Sequence, residues 1–312
     1  MVKAEKELPE VICILGPTGS GKNRLALELS SSFPVQIINF DSRQVYQGVP
    51  IITAQPGKHE LQICPHHLYG FLSPEERISA GRFVEMARDS IARVSGKSGM
   101  PVLVGGTGMY LRSLLQGLAR IPPVGEDVRR DLQARCREDG PETLHVELRR
   151  IDPEYAARIS SRDRHRITRA LEVYHSTGFN LTTWHRHQPS GPFFRVLKLG
   201  ILTQWEHLVH GLDARIQCML KAGAVEEVQA LCRIYGFNPS LPAMTGIGCR
   251  EVMDFLAGVT DMETCVQRWF KNTRDYAKRQ LTWFKKETDV HWVKAEDFSE
   301  VKGMVGNFCE RS

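Results

Sequence analysis

No stretch of this 312-residue chain approaches the roughly 18 consecutive apolar residues of a membrane-spanning helix, so no transmembrane span is expected. Met1 to Glu10 carry charges of both signs and no apolar stretch, so no secretory leader is expected there. No internal repeat or low-complexity segment is visible, which sets aside solenoids and biased tracts. Neither sign of charge dominates: 41 basic against 36 acidic side chains leave +5, which permits a nucleic-acid partner without demanding one. Eight cysteines are present, but none is spaced as CxxC or as in a disulfide framework, and reduced thiols in a cytoplasmic protein are expected. With 42% hydrophobic and 25% charged residues, the composition is that of a globular protein, neither disordered nor collagen-like. The length allows one large domain or two smaller ones.

What is present is concentrated near the start. Val11-Ile-Cys-Ile-Leu15 is an apolar run of strand length, followed directly by Gly16-Pro17-Thr18-Gly19-Ser20-Gly21-Lys22-Asn23. Leu25, Ala26, Leu29 and Phe33 then recur at helical spacing. Strand, glycine loop and helix together make this a P-loop: backbone N–H groups and the helix N-terminus face phosphate oxygens, and Lys22 adds a point charge. Position 23 departs from the pattern, since Asn stands where a Ser or Thr hydroxyl normally reaches Mg²⁺; a carboxamide oxygen can replace it as a hard ligand. A second strand, Val35–Phe40, leads into Asp41, placed where ligand sites gather in open α/β sheets and suited either to hold Mg²⁺ or to act as a general base. An ordinary turn-forming aspartate is the plainer reading of that residue type.

A third strand, Pro101–Val104, enters the loop Gly105-Gly-Thr107-Gly108, with Met109–Leu118 helical beyond it. The strand carries no acid, unlike that of a motor ATPase. Cys64-Pro-His-His67 has too few companions for a metal site and reads as a positioning loop. Ile121-Pro-Pro-Val-Gly125 and Gly191-Pro192 bracket a helical, Arg- and Glu-rich stretch, and Val196–Leu202 returns as a last core strand with only helices after it. The fold class expected is α/β: a P-loop NTPase-like parallel sheet core formed by residues 1–118 and 196–312, with an inserted helical domain over 119–195. Two basic stretches stand out. Arg158, Arg162, Arg164, Arg166 and Arg169 face only Asp163 in the local sequence. Lys271, Arg274, Lys278 and Lys285 share one helix face, while Val266, Phe270, Ala277 and Phe284 line another, interrupted by polar Thr273 and Gln280. Either stripe alone suits a solvated face; two in a phosphate-binding chain favour a polyanion partner.

The ordered set of motifs resembles the tRNA dimethylallyltransferase family. It runs through Gly16–Lys22, Asp41-Ser-Arg-Gln-Val-Tyr46, Thr53-Ala54, Pro65-His-His-Leu68, Gly105-Gly-Thr-Gly-Met-Tyr110, Arg166-Ile-Thr-Arg-Ala-Leu-Glu172, Gly223 with Glu226-Glu-Val228, and Thr273–Phe284. The resemblance implies that the P-loop holds dimethylallyl diphosphate and that the prenyl group passes to N6 of adenosine-37, 3′ of the tRNA anticodon. It implies Asp41 as the base, with Mg²⁺ as cofactor and residues 16–23 around the diphosphate. The anticodon stem-loop would meet Asp41, Ser42, Arg43, Gln44, Thr107, Arg129, Arg164, His165, Arg166, Ile167 and Thr168. The loop Thr245, Gly246, Ile247, Gly248, Cys249 and Arg250 completes that surface. A cytoplasmic monomer without membrane contact is implied. Besides Asn23, this chain departs from the family at Ile52 and Gln55, usually Gly and Lys, at Gly211, usually Arg, and at Cys249, usually Tyr. An adenylate isopentenyltransferase, a small-molecule kinase and an RNA-binding relative with weakened activity stay open on the sequence alone; the basic insertion and the Thr273–Phe284 stretch disfavour the first.

Overall fold

The unbroken apolar run Val11–Leu15 has a use for both of its faces. The computed structural model describes residues 8–189 and 191–310; residues 1–7 of the segment read as lacking a leader lie outside them. Among the described residues the strands are β1 (Glu10–Leu15), β2 (Val35–Asn39), β3 (His66–His67), β4 (Met100–Gly105), β5 (Arg195–Ile201) and β6 (Val290–Val293). They form one parallel sheet in the order β3-β2-β4-β1-β5-β6. The helices are α1 (Lys22–Leu29), α2 (Lys58–Ile63), α3 (Ala80–Ser95), α4 (Gly108–Gln116), α5 (Glu126–Glu138), α6 (Gly140–Ile151), α7 (Pro153–Ala156), α8 (Arg164–Thr177) and α9 (Leu181–Arg186). They continue with α10 (Trp205–Lys221), α11 (Ala224–Tyr235), α12 (Cys249–Leu256), α13 (Met262–Phe284) and α14 (Phe298–Glu310).

Strand side chains alternate between faces, so a sheet covered on both sides needs apolar residues at every position. Val11, Cys13 and Leu15 pack with Phe83, Ala87 and Ile91 of α3 and with Leu111 and Leu114 of α4. Ile12 and Ile14 pack with Leu25 and Leu29 of α1 and with Val301 and Val305 of α14. Leu15 pairs with Gly105, and Asn39 with Val104, so the loops after β1, β2 and β4 leave the sheet at one edge. That edge is where an open α/β sheet collects ligands.

Two expectations are corrected here. His66–His67 is not simply a loop but a short edge strand beside β2, and β6 pairs with β5 where only helices were expected. Both are edges held by backbone hydrogen bonds, and neither shows the apolar run that marks a central strand.

The described residues of Met1–Leu115 and Pro192–Ser312 form one compact unit, and Gln116–Gly191 the other. The second unit is helical, α5 to α9, around Leu132, Cys136, Leu144, Leu148, Ile167 and Leu171. Asp163 caps α8 by accepting the Arg166 N–H (3.1 Å). Three of the five arginines read as facing only Asp163 have other partners: Arg158 pairs with Glu154, Arg162 with Glu142 (3.4 Å) and Arg169 with Glu172 (3.5 Å), while Arg166 pairs with Asp163 (3.6 Å). Glu142 is brought to Arg162 by packing, which local sequence does not show. Such surface pairs contribute little stability. Asp152, 1% exposed, matters more: it accepts from the Tyr155 N–H (3.1 Å), the Thr182 N–H (2.9 Å) and the Thr182 hydroxyl (2.6 Å). Asp152→Ala strands these donors and is expected to lower stability by about 2–4 kcal/mol in denaturant unfolding, since each lost partner in a buried network costs roughly 1–3 kcal/mol. Asp152→Asn, which keeps an acceptor, should lose less; equal losses in the two variants would refute the account.

All eight cysteines are free. Among the described residues no helix is long and apolar enough to cross a membrane.

Candidate active site

The loops after β1 and β2 and the end of β4 border a cavity of about 510 Å³ in the first unit. The P-loop contributes Thr18 to Asn23, the loop after β2 contributes Asp41 to Gln44, and α2 contributes Glu60. Thr245, Gly246 and Ile247 close one side, and Arg215 of α10 enters with Ile216 and Met219. Ile52 to Gln55, Val104 and Gly105 of β4, and Trp269, Thr273 and Tyr276 of α13 line the remainder, so two of the departures, Ile52 and Gln55, face the cavity.

Gly21 precedes α1 with φ +87°, a conformation glycine adopts at no steric cost, and turns the loop into the helix N-terminus. The Lys22 ammonium lies beneath the loop and donates to the Pro17 carbonyl (2.7 Å). Burial lowers its pKa to about 7; neighbouring Asp41 opposes that shift and Arg215 adds to it. Arg215 is partly buried in the cavity wall, and desolvation pushes its pKa down against the pull of Asp41 and Glu60. Two partly buried cationic groups beside the P-loop and the N-terminus of α1 form a site suited to an anion.

Asp41 is held from two directions. Its backbone N–H donates to the Asn39 side chain (2.7 Å), and its Oδ1 accepts the Arg43 N–H (2.8 Å). Thr107 does not line the cavity but braces it: its Oγ1 accepts the Ser42 N–H (2.9 Å) and donates to the Ser42 hydroxyl (3.3 Å). Arg43 donates to Thr245 Oγ1 (2.8 Å) and the Gln44 amide to the Ala54 carbonyl (2.6 Å), so both side chains tie loops together. Asn23 donates its amide to Glu60 Oε1 (3.3 Å), which leaves its Oδ1 as an acceptor at the P-loop. Ser20 Oγ is buried with no hydrogen-bond partner among the described residues. With the Asp41 and Glu60 carboxylates, these are the hard oxygen donors that a magnesium ion prefers.

The sequence-derived residues fall into separate places. Thr18–Asn23, Asp41–Gln44 and Thr245–Ile247 meet at the cavity; Gly16 and Pro17 lead into it. Gly248 lies against Trp269, Cys249 is buried with its thiol pushed up to about 12 by burial, and Arg250 is exposed. Arg129, on α5, and Arg164–Thr168, on α8, belong to the second unit. There Arg164, His165 and Arg166 are exposed, while Ile167 is buried and buried Thr168 donates back to the Arg164 carbonyl (2.9 Å). The departures are accommodated. Buried Ile52 gives its N–H to Glu227 (2.8 Å), Gln55 donates to the Tyr46 carbonyl (2.8 Å), and open space surrounds the position a Gly211 side chain would take.

Glu60, Arg215, Ile216, Met219, Trp269 and Tyr276 line the cavity without standing out in the sequence, and Gln280 braces it. Arg215 closes the Gly211-Leu-Asp-Ala-Arg215 stretch, whose departure from the family lies at its other end. Gln280, read as interrupting an apolar face, is buried and belongs to the stripe Cys265, Trp269, Ala277, Gln280 and Phe284 that α13 turns inward.

Comparison with known proteins finds relatives along nearly the whole chain. The IPP transferase family matches residues 44–287. The tRNA dimethylallyltransferase of Maridesulfovibrio salexigens is 46% identical over 306 residues, covering 97% of this chain and 98% of that protein. The structure of a tRNA isopentenylpyrophosphate transferase from Bacillus halodurans superposes with a TM-score of 0.71 at 29% identity, covering 97% of each chain. A eukaryotic dimethylallyltransferase acting on tRNA superposes with a TM-score of 0.81 at 30% identity, covering 96% of this chain and 77% of that one. A family match across most of the chain, with near-full-length relatives on the same fold, places this chain in the IPP transferase family.

Proposed function

We propose that the chain transfers a dimethylallyl group from dimethylallyl diphosphate to N6 of adenosine-37, immediately 3′ of the anticodon in the tRNA anticodon stem-loop. It is an enzyme, a prenyltransferase. The observation that carries the reading is the cavity itself, where an anion loop with partly buried Lys22 and Arg215 shares one space with Asp41 and an apolar wall of Ile216, Met219 and Ile247. The loop and the cations suit the diphosphate, and the apolar wall suits the prenyl chain. The adenine leaves its stack to enter. Its N6 forms a bond to the allylic carbon, the carbon–oxygen bond breaks with its electron pair on the diphosphate, and the N6 proton passes to Asp41. The basic residues of both units, including Arg129, Arg164, His165, Arg166 and Arg250, supply phosphate contacts. The reading needs one copy of the chain, working in the cytoplasm.

Mg²⁺ belongs to this proposal. Asn23 Oδ1, Ser20 Oγ and Glu60 are the groups that would hold it, leaving Asp41 as the base, and a bound cation offsets charge on the leaving diphosphate. Because a carboxamide is longer than a hydroxymethyl group, Asn23→Ser or Asn23→Thr should lower the half-saturating Mg²⁺ concentration. The expected shift is about 5–150-fold, the equivalent of roughly 1–3 kcal/mol for one contact. Diphosphate binding followed across a Mg²⁺ titration checks this, and superimposable curves would detach position 23 from the metal.

The test of the function is mass spectrometry of nucleosides from an anticodon stem-loop RNA incubated with the protein, Mg²⁺ and dimethylallyl diphosphate. Prenylated adenosine is expected. ATP hydrolysis at rates typical of NTPases, with no prenyl transfer, would overturn the reading in favour of a kinase-like enzyme. RNA binding without transfer would leave an RNA-binding relative.

A further inference from the structure

Gln280 is the polar member of the buried stripe on α13, 5% exposed. Its carboxamide sits between two loops distant in sequence. Oε1 accepts the Thr18 N–H of the P-loop (2.8 Å), and Nε2 donates to the Gly106 carbonyl in the loop after β4 (2.9 Å). The two ends of the amide cannot exchange, since an N–H must meet the oxygen and a C=O the nitrogen. Position 106 has to lack a side chain for the amide to enter: a Cβ there would stand 2.0 Å from Gln280 Nε2 and 3.2 Å from Asp41 Oδ2. Gly106 adjoins Thr107, whose Oγ1 holds the Ser42 N–H (2.9 Å). One helix therefore grips the P-loop and, through residues 106 and 107, the loop that carries Asp41.

We infer that Gln280 is a positioning residue that sets the separation between the diphosphate-holding loop and Asp41. The inference rests on the prenyl-transfer reading above, in which leaving group and base act on one substrate pair. Gln280 is bound to Thr18 and Gly106 rather than aimed at the anion or the proton. Its loss therefore acts on alignment, where a displacement of about 1 Å costs on the order of 10²-fold in rate. The effect belongs in the rate of the chemical step and not in the affinity for diphosphate.

Two variants separate this from a merely structural role. Gln280→Met removes both hydrogen bonds at similar length. Gln280→Glu keeps the acceptor for Thr18 but turns a second carboxylate oxygen toward the Gly106 carbonyl; protonation restores an O–H donor there and with it both bonds. Single-turnover prenyl transfer to an anticodon stem-loop RNA should fall about 10²-fold in both variants at pH 8, the cost of such a misalignment. Inorganic pyrophosphate affinity, read by calorimetry, should stay within about threefold of wild type in Gln280→Met, since the residues that hold the anion are untouched. As pH is lowered from about 8 to about 5.5, the Gln280→Glu rate divided by the wild-type rate should climb toward one as the carboxyl protonates, while the Gln280→Met ratio stays flat. A folded Gln280→Met protein with near-wild-type rate, a flat Gln280→Glu ratio, or a loss residing in pyrophosphate affinity would each overturn the inference. If Gln280→Met fails to fold, the pH ratio of Gln280→Glu decides alone. A wild-type protein that makes no prenylated RNA sinks the functional reading and this inference together; wild-type turnover with an unaffected Gln280→Met sinks only this one.

Discussion

Asp41→Ala is expected to lower single-turnover prenyl transfer by about 10²–10⁴-fold, the usual size of a general-base contribution, while RNA binding changes little. The geometry makes the comparison clean. Asp41 follows β2 without belonging to it, and its Oδ1 is engaged by the Arg43 N–H (2.8 Å). Asp41→Asn keeps an acceptor for that bond and preserves the loop, yet its amide cannot take a proton. Both variants should therefore be slow, with Asp41→Asn the more stable in thermal unfolding. Near-normal turnover in Asp41→Asn would remove the residue from proton transfer.

The second large effect concerns Lys22. With its pKa brought down to about 7 in the ligand-free site, chiefly by burial, Lys22 is mostly neutral above pH 7. A bound diphosphate favours the ammonium and returns the pKa toward the ordinary lysine range. The sign follows: binding above pH 7 takes up a proton, so affinity declines as pH rises. The decline approaches tenfold per pH unit, about 1.36 kcal/mol, until the pKa of the complex is reached. Between pH 7 and pH 9 this amounts to about 10²-fold, and calorimetry in buffers of different ionisation enthalpy reads the proton directly. Lys22→Met should bind more weakly at pH 7 and lose this slope, and the difference between the two proteins cancels the ligand's own ionisation. Equal slopes would show that Lys22 stays charged in the empty site.

The central architecture was readable because it is local. Val11–Leu15, the glycine loop and the spacing of Leu25, Ala26 and Leu29 lie within one stretch of chain, and each element's signal supports the next. Asp41 was readable for the same reason, one step past an apolar run. What escaped detection depends on partners far away in sequence. His66–His67 pairs through its backbone, and its side chains carry no strand signature. A lone arginine on a helix looks like a solvent-facing charge, and only the packing of α10 beside the P-loop turns Arg215 into the cavity wall. Gln280 breaks an apolar periodicity on paper; its two partners are 262 and 174 residues away. Of the arginines around α8, Arg162 looks unpaired because Glu142 reaches it from a preceding helix, whereas Arg158 and Arg169 pair within one helical turn with Glu154 and Glu172, just outside the basic stretch.

The place of β1 between β4 and β5 also governs how a nascent chain can mature. On the ribosome β1, β2, β3 and β4 emerge first and can pair among themselves, but one edge of β1 waits for Arg195–Ile201. Synthesis of the intervening chain takes roughly 5–20 s at typical elongation rates. For that interval an all-apolar edge, Val11 to Leu15, offers unpaired backbone groups to any neighbouring strand. Co-translational protection, by a chaperone or by early burial under α1 and α3, is therefore a requirement of this strand order, and a fragment that stops before β5 should be prone to aggregate.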